Sequence, residues 1–202
     1  IMGAGDDIPA ALRQLGYPVT LLTDDDLKNG GLSHYDVIIA GVRAYNTRPV
    51  LKANQRKVME FVEKGGTYIV QYMTSRRSET ENLGPYSFNV SSDRVSVEEA
   101  PVRFLAPNHP VLNVPNRITQ ADFDGWVQER GLYFSDKWDA HYTAVLASND
   151  PGEPSREGGL LVTQFGKGTF VFTGYAFFRQ LPAGVPGAYR LFVNLISLGS
   201  SR

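Results

Sequence analysis

Along the first 75 residues the apolar positions switch between helical and extended spacing. Residues 6–16 put Ile8, Ala11, Leu12 and Leu15 on one helical face, with Asp6 or Asp7 as cap, Pro9 in the first turn and Gly16 as the stop. Residues 19–23 then read as a short strand. Asp24-Asp25-Asp26 opens a helical turn reaching Leu27, and its acidity serves capping and solvation rather than metal binding. Residues 36–42 (DVIIAGV) form a continuous apolar run, as expected of a parallel strand covered on both faces. Residues 49–64 carry the strongest helical pattern. Leu51, Val58, Phe61 and Val62 form its buried stripe, and Gly65-Gly66 ends it. Residues 67–73 (TYIVQYM) are the next buried strand. This alternation predicts an α/β fold with a doubly wound, mostly parallel, flavodoxin-like sheet and helices on both faces. In it, 36–42 and 67–73 are adjacent inner strands joined by the 49–64 helix.

Beyond Ser75 turn-rich sequence separates shorter strands, predicted at 102–105, 131–134, 143–147, 160–165 and 169–173. The last two flank Gly166-Lys167-Gly168 and read as a hairpin. A closing helix is expected over 186–198, so the C-terminal half is β-rich with a helical end. No internal repeat or low-complexity linker interrupts the chain, and 1–202 reads as one domain. The opening Ile1-Met2-Gly3-Ala4-Gly5 reads as the last residues of a buried strand, so the chain is expected to be a fragment of a larger protein.

Composition narrows the function classes. Twenty Lys and Arg against 21 Asp and Glu leave a net charge of −1, which supplies no electrostatic footprint for nucleic acid or an anionic membrane. No apolar run approaches the length of a membrane-spanning helix. With no cysteine at all, disulfides, thiolate metal sites and a cysteine nucleophile are excluded.

Several segments together resemble known proteins. DVIIAGVRAYN (36–46), the helix ending in two glycines, and TYIVQYMTS (67–75) resemble two successive crevice strands of the class I glutamine amidotransferase-like superfamily. APNHPVL (106–112) followed by DFDGW (122–126) resembles the HP…D motif of its ThuA-like relatives. GVRAYN, LGPYSF, DRV, NHPVLN, DFDGWVQERGLYF, NDPGEP and LPAGVPGAYRLF together are similar to a domain found C-terminal to PIG-L/LmbE-type deacetylases. That resemblance implies a fused deacetylase as partner.

The chemistry of that superfamily uses a cysteine on a sharp strand-to-helix turn, activated by a histidine. Here Gln71, Tyr72 or Met73 falls where the thiol belongs, and Gly174-Tyr175-Ala176-Phe177-Phe178 falls where the histidine belongs. No catalytic residue, cofactor or metal site is therefore assigned. Ligands of open α/β sheets sit beyond the carboxyl ends of the strands. Arg43, Tyr72, Arg76 and Tyr175, with Asp6, Arg77 and Arg179 nearby, form the candidate ligand site for a carbohydrate or small anion. The competing account has these arginines pinned to Asp93, Glu98, Glu99, Asp122 or Glu129. Asp136-x-x-Asp139-x-His141 imitates metal-ligand spacing weakly, His109 reads as a structural turn residue, and Trp126 and Trp138 are core aromatics or sugar-stacking platforms. Three functions stay open: a non-catalytic accessory module, an amide or glycan hydrolase using Asp122, Asp124 and Glu129, and a structural or oligomerising domain.

Overall fold

In a computed structural model, residues 5–74 and 83–199 are described. The chain runs α1 (Ile8–Gln14), α2 (Asp24–Asn29), β1 (Val37–Ala40), α3 (Ala44–Thr47), α4 (Pro49–Ala53), α5 (Gln55–Glu63) and β2 (Thr67–Gln71). It continues through β3 (Phe88–Val95), β4 (Val102–Phe104), β5 (Gly131–Trp138), β6 (Thr143–Ala144), β7 (Leu146–Ser148), β8 (Leu160–Phe165) and β9 (Gly168–Thr173). Two helices close it, α6 (Phe177–Gln180) and α7 (Pro186–Ile196).

Five strands form the central sheet in the order β1-β2-β9-β8-β6. β1, β2 and β9 are parallel neighbours, β8 is antiparallel to β9, and β6 is antiparallel to β8. Four of the five strands thus point the same way. β2 is buried at every position, its polar ends Thr67 and Gln71 included, as expected of a strand with layers on both faces. Ile69 and Val171 face a core shared with α1 and α7, while Tyr68, Val70, Phe170 and Phe172 face a second core with α2, α4 and α5. The predicted hairpin is present, β8 pairing β9 from Leu160↔Thr173 to Phe165↔Gly168.

Four expectations are corrected. The 36–42 strand is parallel to β2 but, among the described residues, stands at the end of the sheet rather than inside it. Its burial alternates, with Ile38 and Ala40 covered and Val37 and Ile39 half-buried. The reason lies in 19–23, which is not a strand: Leu22 is buried there but the segment joins no ladder. The 49–64 helix is two helices broken at Asn54 (φ −109°, ψ 17°), whose side-chain amide donates to the Val50 carbonyl at 2.9 Å and competes with the helical ladder. The 143–147 strand divides into β6, on the main sheet, and β7, which pairs β4.

One strand went unforeseen. β3 (FNVSSDRV) is mostly polar and pairs β5 with register shifts at Asn89/Val90, Val90/Asp93 and Asp93/Arg94, so it lacks a clean alternation. Its far end is tied down by Asp150, which accepts from Ser96 N–H (3.0 Å), Ser96 Oγ (2.6 Å) and Val97 N–H (2.8 Å). The acidic run behaves as expected: Thr23 and Asp26 form a reciprocal cap on α2, with Asp26 N–H donating to Thr23 Oγ1 at 3.2 Å and Thr23 N–H to Asp26 Oδ2 at 2.7 Å. No helix among the described residues is long and apolar enough to cross a membrane.

Candidate functional site

The carboxyl ends of β1 and β2 are joined by their own backbone. Beyond Ala40 the chain turns through Arg43, which takes a left-handed conformation (φ 57°, ψ 23°) at the start of α3. Its N–H donates to the Tyr72 carbonyl at 2.8 Å. The side chain of Arg43 is exposed, and its guanidinium makes no ion pair or hydrogen bond with another described residue. Beside it Asp6 accepts from Val42 N–H (3.0 Å), Ile8 N–H (3.0 Å) and Gln71 Nε2 (3.3 Å). Burial nevertheless raises its pKa above the ordinary carboxylate value, against those lowering bonds.

Tyr72 follows β2 directly and is half-buried between two other rings, Tyr133 with centroids 5.2 Å away and Phe178 at 5.3 Å. Burial raises its phenol pKa, with Tyr133 and Glu129 adding to the rise and Arg43 and Arg179 opposing it. The hydroxyl therefore stays protonated at neutral pH and serves as a donor. Over Phe178 sits the Arg179 guanidinium, 4.9 Å from the ring centroid, whose Nε donates to Glu129 Oε1 at 2.5 Å. Glu129 is only 8% exposed, so its charge is neutralised by this contact.

The loop carrying Glu129 is fastened by a buried amide. Gln180 accepts from Val127 N–H (2.8 Å) and donates to the carbonyls of Val127 (2.9 Å) and Glu129 (3.3 Å). Non-glycine residues with positive φ are Arg43 (57°), Gln128 (67°) and Tyr133 (56°) among the described residues. Two belong to this crevice and the third adjoins Glu129. A left-handed non-glycine residue costs about 1–2 kcal/mol, and such strain gathers where surrounding structure holds a functional geometry.

Arg43 and Tyr72 are thus brought together as the sequence reading expected, while Arg76, like Arg77, lies outside the described residues. Tyr175 is a correction. It is 1% exposed, and its ring packs on Phe134 (5.1 Å) and Trp126 (6.0 Å) in the core. After β9 the chain turns inward, Gly131 and Tyr175 forming a bridge, so the side chain points below the crevice rather than into it. Sequence reasoning missed Tyr133 and Phe178. Tyr133 sits on a strand and Phe178 on a short helix, and neither carries a local signal that marks it as a crevice wall.

Two of the three acids considered for hydrolysis, Asp122 and Glu129, have other work, while Asp124 is exposed. Asp122 accepts from Thr119 N–H (2.7 Å) and from Arg190 Nε (2.7 Å), and Glu129 is paired with Arg179. Ion pairing to arginine does pin loops, at Asp93–Arg156 (3.0 Å), Asp122–Arg190 and Glu129–Arg179, but does not engage Arg43. The D-x-x-D-x-H pattern is split. Asp139 holds His141 Nδ1 at 2.5 Å while Asp136 accepts from Asn89 Nδ2 at 2.6 Å, and no metal-binding cluster of three such residues occurs among the described residues. His109 Nδ1 accepts from Val111 N–H at 3.2 Å, the expected turn-capping role. Trp126 is buried. A cavity of about 540 Å³ adjoins this strand end, lined by Asp6, Gly41 and Gln71 together with Leu12 and Tyr17, and a second of about 290 Å³ lies apart from it between His109 and His141.

Because Arg43 is exposed and left-handed, Arg43→Ala is expected to leave the melting temperature nearly unchanged. Arg43→Gly is expected to be as stable as the parent or up to about 1 kcal/mol more stable, since glycine adopts φ 57° without penalty. Urea unfolding of both variants checks this, and a loss of more than about 2 kcal/mol in either would mean that Arg43 holds the fold together.

No protein-family profile matches the chain, and no curated protein matches it in sequence. Solved structures do resemble it. A cytoplasmic protein from Salmonella typhimurium LT2 superposes with a TM-score of 0.62 at 13% identity, over 98% of this chain and 88% of that one. A β-galactosidase from Rahnella sp. R3 matches with a TM-score of 0.56 at 16% identity, over 92% of this chain but 25% of the enzyme. A glutamine amidotransferase from Thermotoga maritima matches with a TM-score of 0.50 at 14% identity, over 96% of this chain and 88% of that one. At such identity the likeness concerns the fold alone, and that fold is a mixed α/β architecture like that of a glutamine amidotransferase.

Proposed function

We propose that this chain is a non-catalytic, glutamine amidotransferase-like module of the ThuA-related kind. In this reading it binds a carbohydrate or small anion in the crevice around Arg43 and Tyr72, as the accessory domain of a PIG-L/LmbE-type deacetylase. The observation that carries the reading is the setting of Tyr72. At the strand end where the superfamily places its thiol, this chain has a protonated phenol clasped between Tyr133 and Phe178. A phenol held protonated beside two rings is a binding surface and not a nucleophile. Arg43, unpaired among the described residues, and the ion-paired Arg179–Glu129 couple supply polar contacts at its rim. The sheet is taken as doubly wound and flavodoxin-like, which makes this strand-end crevice the natural ligand position. An accessory role is in keeping with a similar fold forming a quarter of a β-galactosidase chain, and the deacetylase partner rests on the sequence motifs alone.

The test has two arms. Purified protein incubated with L-glutamine is expected to release ammonia only at the rate of a buffer blank. Release above that blank, abolished by Tyr72→Phe, would overturn the non-catalytic reading. A thermal-shift screen of neutral and acidic monosaccharides is expected to give at least one shift that Arg43→Ala or Tyr72→Ala removes; no shift with any of them counts against the crevice.

A further inference from the structure

We infer that the crevice selects an acidic sugar, a pyranose whose ring lies on the Tyr72–Tyr133–Phe178 face and whose carboxylate is received by Arg43. This rests on the binding role proposed above and specifies its ligand. Three half-buried rings meet at centroid spacings of 5.2 and 5.3 Å, so they retain solvent-facing surface while being too well packed to swing away. A pyranose presents a face of C–H groups to such a platform and its hydroxyls to the rim.

Charge decides the rest. Glu129 and Arg179 cancel one another at 2.5 Å. Asp6 is turned into Val42 N–H, Ile8 N–H and Gln71. The Tyr72 phenol, its pKa raised by burial, is a neutral donor there, with the Tyr133 ring beside it at 5.2 Å. That leaves the Arg43 guanidinium as the uncompensated charge of the described crevice, within electrostatic reach of the Tyr72 hydroxyl. A planar guanidinium receives a carboxylate through two parallel hydrogen bonds. A neutral sugar would leave it without a partner, and a bare inorganic anion would leave the three rings unused. The backbone bond from Arg43 N–H to the Tyr72 carbonyl, at 2.8 Å, couples the cation to the platform, so a ligand joining an apolar face to a carboxylate addresses both at once.

The chain is titrated by isothermal calorimetry with D-glucuronate, D-glucose and acetate, as parent, Arg43→Gln and Arg43→Lys, each checked for an unchanged melting temperature. Glucuronate is expected to bind the parent at least about tenfold more tightly than glucose, the factor that about 1.4 kcal/mol supplies, and acetate to bind far more weakly than either. Arg43→Gln is expected to equalise the two sugars, and Arg43→Lys to restore part of the preference. Equal affinity of the parent for glucose and glucuronate overturns the acidic-sugar inference while leaving the crevice a carbohydrate site. Acetate binding as tightly as glucuronate overturns it in favour of an anion site, and a preference that survives Arg43→Gln overturns it by removing its cation. Absence of heat from all three overturns the acidic-sugar inference, and the proposed function falls with it only if the monosaccharide thermal-shift screen is silent as well.

Discussion

Leucine in place of Gln180 is expected to lower the unfolding free energy by about 3 kcal/mol and to weaken the ligand binding proposed for the crevice as well. The Gln180 side chain is fully buried and makes three contacts that leucine cannot, to Val127 N–H, the Val127 carbonyl and the Glu129 carbonyl. Each backbone group stranded away from water costs about 1–3 kcal/mol, reduced here because Val127 is only half-buried and water reaches part of the loop. Similar side-chain size means that no cavity adds to the loss. The loop carries Glu129, which sets Arg179 over Phe178, so loosening it disturbs one wall of the aromatic platform. Denaturant unfolding measures the first effect and ligand titration the second. Gln180→Glu sharpens the comparison: its carboxylate still accepts from Val127 N–H but no longer donates to either carbonyl, and it adds a buried charge. It is expected to be at least as damaging as leucine at neutral pH. A stability within about 0.5 kcal/mol of the parent for both variants would show that the loop does not depend on this amide.

Gly187→Ala is expected to destabilise by about 3 kcal/mol or more, although alanine is the better helix former by about 1 kcal/mol. Gly187 lies in the first turn of α7 and is buried. A Cβ there would fall far inside van der Waals contact of the Asp122 carbonyl oxygen, Cα and carbonyl carbon. These are backbone atoms of the 3-10 turn Gln120–Phe123, so nothing flexible can swing aside. The turn itself is fixed by the Thr119–Asp122 cap and by Arg190 on Asp122. Relief therefore requires moving the helix or the turn, an overpacking cost that normally runs about 1–3 kcal/mol and more where backbone meets backbone. Thermal and urea unfolding decide the sign. A variant more stable than the parent would mean that helix propensity outweighs packing at this position.

Both positions read differently in sequence and in space. Gln180 and Gly187 stand in LPAGVPG surroundings that announce turns and a helix start, yet neither its amide geometry nor its close approach leaves a trace along the chain. The local elements were legible because their causes are local. The apolar centres of β1 and β2, the Gly-Lys-Gly turn of the β8–β9 hairpin and the proline at the start of α7 each act within a few residues. So was the absence of a cysteine nucleophile, which composition decides outright. Arg43 and Tyr72 could be named because strand ends of an α/β sheet converge wherever the strands are parallel.

Tertiary structure alone decided the rest, wherever contacts far apart in sequence outweigh local preference. Residues 19–23 have strand-like composition but enter no ladder, which leaves β1 at the end of the described sheet. β3 is too polar and too bulged to be seen as a strand, and exists because β5 pairs with it. Tyr175 occupies a strand end by sequence, but the chain's inward turn after β9 sends its ring to Phe134 and Trp126. The platform itself is assembled from the residue after β2, from β5 and from α6. Rings more than 40 residues apart meet only because burial of their faces offsets the loss of chain entropy, a balance that no short window of sequence records.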